Sequence, residues 1–139
     1  MTRSSLVPSL ALVVGFATTV VVHLGYLPRY APENVEMTTA VVLVGWLTYV
    51  LTFYALGRLL SSPGPLPNMR TADAGVALFL VSLLLALVLD SAGFTPEAVP
   101  RAYVLPGVGI YVGLALVGWS IGRRTKSLNR RDWQPGSRS

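Results

Sequence analysis

From Tyr103 to Ile121 the chain carries no charged side chain, and directly after it come Gly122, Arg123, Arg124 and Lys126, with Arg130 and Arg131 close behind. A run of that length is what an α-helix needs to cross about 30 Å of hydrocarbon, and cations gathered at one end hold that end in the cytoplasm. Three further apolar runs fall into line with it. The spans are residues 6–26, 38–60, 74–90 and 103–122. The expected fold is all-α, an integral membrane four-helix bundle over residues 1–122, followed by a basic cytoplasmic tail over 123–139 without fixed structure.

Composition bears on whether water can be the solvent. Charged residues make up 12% of the chain and apolar ones 53%, against about 25% charged in an ordinary soluble domain. The mean hydropathy is +0.59. Too few charges are present to cover a surface in water, so lipid must replace water over much of it. Cysteine is absent, which excludes disulfides, thiolate catalysis and Cys-based metal sites. Ten arginines stand against one lysine beside abundant Val, Ala and Gly, a GC-rich coding bias that points to a prokaryotic cell membrane.

The connections decide the direction of threading. Pro28, Arg29, Glu33 and Glu36 follow the first run, and a turn from Ser61 to Asn68 rich in proline follows the second. Gly93, Pro96, Glu97, Pro100 and Arg101 follow the third. With the N-terminus cytoplasmic, that side holds Arg3, Arg58, Arg70 and the six cations of the tail, and the opposite side holds only Arg29 and Arg101. Both termini are therefore expected in the cytoplasm. Arg3 ahead of the first run resembles the start of a secretory signal, but the run is longer than a signal core and lacks a small-x-small cleavage pattern, so a retained span is expected.

An internal echo runs through this plan. Pro32-Glu33-Asn34-Val35 recurs as Pro96-Glu97-Ala98-Val99, and each is followed by a span ending in Gly-Arg, at Gly57-Arg58 and Gly122-Arg123. The distance from Pro to Gly is 25 residues in one copy and 26 in the other. Two tandem helical hairpins would produce this pattern. So would local chemistry, because Pro-Glu suits helix starts and Gly-Arg suits helix exits.

Lipid tails give helices no hydrophobic reason to associate, so bundles depend on small residues and interhelical hydrogen bonds. Gly15 with Thr18 and Thr19 marks such a stripe on the first span, Gly45 with Thr48 and Thr52 on the second, and Gly75 with Ser82 on the third. The fourth has two: Gly109, Gly113 and Ser120 on one face, Gly107, Gly118 and Gly122 on the other. One of these faces is expected to pack within the chain, and the other is available to a homo-oligomer or a larger membrane complex.

His23 and Asp90 are the ionisable side chains near the outer limits of the spans. Each lies roughly 25 Å along its helix from the inner edge. They form a candidate polar site, a His–carboxylate pair at the mouth of an outward vestibule that takes up a proton or cation. Alternatively both simply mark the water interface. No nucleophile elbow, phosphate-cradling loop or paired-histidine haem site is present, and no enzyme activity, cofactor or metal is expected. Arg123, Arg124, Lys126, Arg130 and Arg131 are expected to contact anionic headgroups or to act as a retention signal alone. The other expected partner is the lipid bilayer, and no nucleic acid is expected. The function so indicated is a non-enzymatic accessory or scaffold subunit; the alternative is a small oligomeric transporter or channel working through His23 and Asp90.

Overall fold

The computed structural model describes residues 3–30, 33–62 and 65–132, which are all-helical with no strand among them. The order is α1 (Arg3–Val20), a π-helical stretch (Val21–Tyr26), α2 (Leu27–Tyr30), α3 (Val35–Leu60), α4 (Arg70–Ser91), a 3-10 turn (Pro100–Tyr103) and α5 (Val104–Asp132). Four segments are long and apolar enough to cross a membrane: Ser5–Arg29, Val35–Leu60, Arg70–Ser91 and Pro100–Asn129. They contain the four expected spans and extend each by one to several residues.

The helix ends have local causes. Asn34 opens α3 by accepting the Met37 N–H at 3.0 Å, which satisfies one of the donors a helix start leaves unpaired. Glu36 adds an acid to that first turn and Asp73 one to the first turn of α4, where the helix dipole favours it. At the far end of α4, Gly93 takes φ +91. Its N–H donates to Asp90 O at 3.0 Å, and that of Phe94 to Leu89 O at 2.9 Å. This is a Schellman stop, which needs a residue free of Cβ at the left-handed position. Pro8 lies inside α1, which begins at Arg3.

The chain forms two compact units, one of residues up to Pro67 with those from Gly118 onward, the other Asn68–Val117. In the first, α1 runs antiparallel to α3. A Cβ on Gly15 would lie 3.1 Å from Thr48 O and 2.9 Å from Thr52 Oγ1. The second half of α5 runs parallel to α3. Gly118 faces Val50 O, Gly122 faces Tyr54 O, and Gly57 faces Trp119 O. In the second unit α4 and the first half of α5 are antiparallel, with Gly75 and Gly113 on each other's carbonyls and Gly109 against Ser82.

Two expectations change. The two stripes of α5 are both used within the chain: Gly109 and Gly113 meet α4, while Gly118 and Gly122 meet α3. At Gly107 nothing approaches within 4 Å of an added Cβ. The segment from Arg123, expected to lack fixed structure, continues α5 as far as Asp132. No glycine or proline interrupts it after Gly122, Arg and Lys are good helix formers, and Lys126 Nζ donates to Ser61 O at 2.6 Å. Residues 133–139, including Trp133, lie outside the described residues.

Large apolar side chains face outward. Between 17% and 33% of each span's most apolar window is buried, and Leu24, Leu47 and Leu105 are 75%, 70% and 73% exposed. Packing is thus through small residues and the bulk is turned out, the reverse of a water-soluble core.

The glycine contacts are directly testable. Alanine normally strengthens a helix by about 1 kcal/mol over glycine. Gly75→Ala would set a methyl 2.7 Å from Gly113 O and 3.0 Å from Leu116 Cβ, and a net loss of about 1–3 kcal/mol is expected. Gly107→Ala should cost nothing. Thermal unfolding in detergent micelles measures both.

Candidate functional site

Polar chemistry inside the spans concentrates on the seam between α1 and α3. Thr19 Oγ1 lies 2.7 Å from Gly15 O and 3.0 Å from Thr48 Oγ1. Thr48 Oγ1 lies 3.0 Å from Gly45 O, and Thr52 Oγ1 donates to Thr48 O at 2.8 Å. Thr19 and Thr48 have one hydroxyl proton each, while three acceptor contacts surround the pair. The interhelical bond therefore forms only when one of the two releases its own backbone carbonyl. The seam has alternative hydrogen-bond states of similar geometry.

His23 continues the seam toward α2. Its Nδ1 sits 2.9 Å from Thr19 O. A carbonyl only accepts, so this bond requires the proton on Nδ1, and in the neutral ring Nε2 is then the acceptor atom. The ring lies against α3: a Cβ on Gly45 would come 2.9 Å from His23 Cε1 and 2.8 Å from Val22 Cγ1. Gly45 is therefore a notch that receives the imidazole and its neighbour.

The helix winding explains why counting at 3.6 residues per turn sets His23 beside the packed stripe rather than on it. Val21–Tyr26 is π-helical, and the Leu27 N–H reaches Val22 O, five residues back. A turn closed over five residues winds more slowly than an α-helix, which brings His23 round toward α3. Such wide turns are uncommon and frequently occur where a side chain has a function.

Asp90 belongs to the other compact unit, one turn before the Gly93 stop, and its side chain is exposed. Its carboxylate and that of Glu97 lie within electrostatic range of Tyr103. His23 is in the first unit. Sequence reasoning missed Gly45 as the partner of His23. Their common signal was available, since the histidine on the first apolar run and a glycine on the second stand at similar distances from the connection between them.

The basic end is more ordered than a free tail. Lys126 holds the Ser61 carbonyl, Arg124 Nη1 donates to Pro67 O at 3.4 Å, and Arg58 lies over the Tyr54 ring at 5.9 Å. Arg123 follows Gly122, where α5 touches α3. Arg130 and Arg131 lie on the last turn of α5, and their side chains are outside the described residues. In the second unit a groove of about 400 Å³ between α4 and α5 is lined by Leu78, Leu85, Leu105 and Val112, with Ser82 as its hydroxyl. Among the described residues no group of three or more His, Asp or Glu is arranged to hold a metal ion.

No protein-family model matches the chain, and no curated protein or solved structure does so at a significant level.

Two substitutions separate the notch from the hydroxyls. Gly45→Ala should cost about 1–3 kcal/mol by overpacking and shift the His23 Cε1 NMR resonance. Thr48→Val should cost only about 0.6 kcal/mol, the usual worth of a hydrogen bond between membrane helices.

Proposed function

We propose that this chain is a four-helix integral membrane bundle of two tandem hairpins, with both termini cytoplasmic. It serves as a non-enzymatic accessory or scaffold subunit that packs against itself or a larger membrane complex. The observation that carries this reading is how the polar groups within the spans are used. Hydroxyls of Ser9, Thr19, Thr39, Thr52 and Thr125 each bond a carbonyl four residues back, while glycines bring helix backbones together. Such an interior is organised for holding helices in register. The apolar bulk turned outward suits lipid or the helices of a partner.

Orientation follows from the cations. Arg58, Arg70, Arg123, Arg124 and Lys126 fall on one side by sequence and Arg29 and Arg101 on the other, which supports a cell-membrane protein with its basic end inside. Anionic headgroups are the partners of that end, at about 1 kcal/mol for each cation near the surface.

A second reading, a small oligomeric transporter or channel with an outward-facing site at His23 and Asp90, is favoured by the π-helical turn under His23 and the alternative hydrogen-bond states of the threonine seam.

Purification from native membranes in mild detergent tests the choice. A stoichiometric larger complex is the expected result. A lone homo-oligomer that moves protons or cations across proteoliposomes, and loses this with His23→Ala or Asp90→Asn, would replace the subunit reading with transport. A reporter fused after Ser139 should be active in the cytoplasm.

A further inference from the structure

The tandem-hairpin architecture carries a stronger statement when the contacts of the two hairpins are compared residue by residue. In the first, Gly15 of α1 lies against Thr48 and Thr52 of α3. In the second, Gly75 of α4 lies against Gly113 and Val117 of α5. The first-helix glycines are 60 positions apart, and both pairs of second-helix partners are 65 apart. One turn further on, Thr19 meets Thr48 in the first hairpin. In the second, an added Cβ on Gly113 would lie 2.9 Å from Phe79 N and 3.1 Å from its Cβ. The shifts are again 60 and 65. At the next rung Val22 packs on Gly45 and Ser82 on Gly109. Here the first-helix shift stays at 60 and the other becomes 64, at the level where the π-helical stretch begins.

A different interface returns the same number. Where α3 and α5 run side by side, a Cβ on Gly57 would meet Trp119 O and lie 3.1 Å from Arg123 N. One on Gly122 would meet Tyr54 O and lie 3.1 Å from Arg58 N. Gly57 and Gly122, Tyr54 and Trp119, and Arg58 and Arg123 are all 65 positions apart. Lys126 and Ser61, joined by a hydrogen bond at this end, are too. Such reciprocity, in which i touches j and the equivalent of j touches the equivalent of i, is the mark of an isologous contact between two copies of one surface.

We infer that the chain is a duplicated helical hairpin, α1–α3 and α4–α5, and that the Gly57/Gly122 contact is a homodimer interface now built into one polypeptide. The partner that this glycine face fits is the chain's own second repeat. The face is therefore closed to other molecules, and accessory partners must use the apolar outward faces instead. The two copies have diverged at the seam. Thr19, His23, Thr48 and Thr52 of the first stand where Phe79, Leu83, Gly113 and Val117 stand in the second. The hydroxyl pair and the imidazole belong to the first repeat, while the second has traded the hydroxyl pair for a large side chain over a glycine.

The test uses the full-length chain in detergent, with Tm from tryptophan fluorescence and monodispersity from size exclusion. Thr19→Phe alone should lower Tm because Thr48 occupies the space. Thr19→Phe together with Thr48→Gly recreates the second repeat's pair and should recover most of that loss. In the other interface, Gly57→Ala and Gly122→Ala should lower Tm by similar amounts, and the double variant by less than their sum, because both methyls push apart the same helix pair. A seam double variant no better than the sum of its singles, with unequal or fully additive glycine effects, overturns the duplication. These readouts need no binding partner, so the duplication and the subunit reading fail separately.

Discussion

Backbone meeting backbone at glycine is the contact on which everything else in this protein depends. In an apolar surrounding, helices gain nothing from hiding leucine, because the surrounding is as apolar as the side chain. What they gain is dispersion and weak Cα–H···O attraction, which act only at close range. Gly15 on Thr48 O, Gly75 on Gly113 O, Gly118 on Val50 O and Gly122 on Tyr54 O are four uses of the same device. Each requires a residue without Cβ, and each leaves the large residues of its helix on the outside.

α5 shows what this device permits. One unbroken helix presents Gly109 and Gly113 to α4 and, a few turns later, Gly118 and Gly122 to α3. A helix that packed through bulky side chains would need partners with complementary hollows. With glycine, the only hollow needed is its own. The hydroxyls follow the same economy, since most return to the preceding turn of their own helix and so leave no unsatisfied donor on an apolar face. At the seam Thr19 and Thr48 in addition approach each other across α1 and α3, and His23 lies one turn beyond Thr19.

Much of this was legible from residues alone, and the parts that were not share a reason. Uncharged runs declare helices able to span a membrane because a single charge inside hydrocarbon is costly, so Ser5–Arg29 and its three counterparts follow from hydropathy and length. The stripes of small residues declare packing faces for the same kind of reason. Partner assignment is different: Gly118 and Gly109 carry the same local signal, and nothing in their neighbourhoods says which meets α3 and which meets α4. His23 was displaced by a turn whose winding no propensity records. The helix beyond Arg123 was obscured because a basic polar segment reads as tail until a carbonyl such as that of Ser61 is found to hold Lys126.

By itself the sequence determined the four long apolar helices and the faces on which small residues gather, because these depend on the hydropathy and length of each run and on the helical repeat. Only the tertiary structure decided which glycine meets which carbonyl, that the imidazole of His23 lies over Gly45, and that Gly57 and Gly122 occupy equivalent places in one contact. Those are choices of register between helices far apart in the chain, set by backbone approaches that leave no room for a Cβ, and no local pattern encodes them.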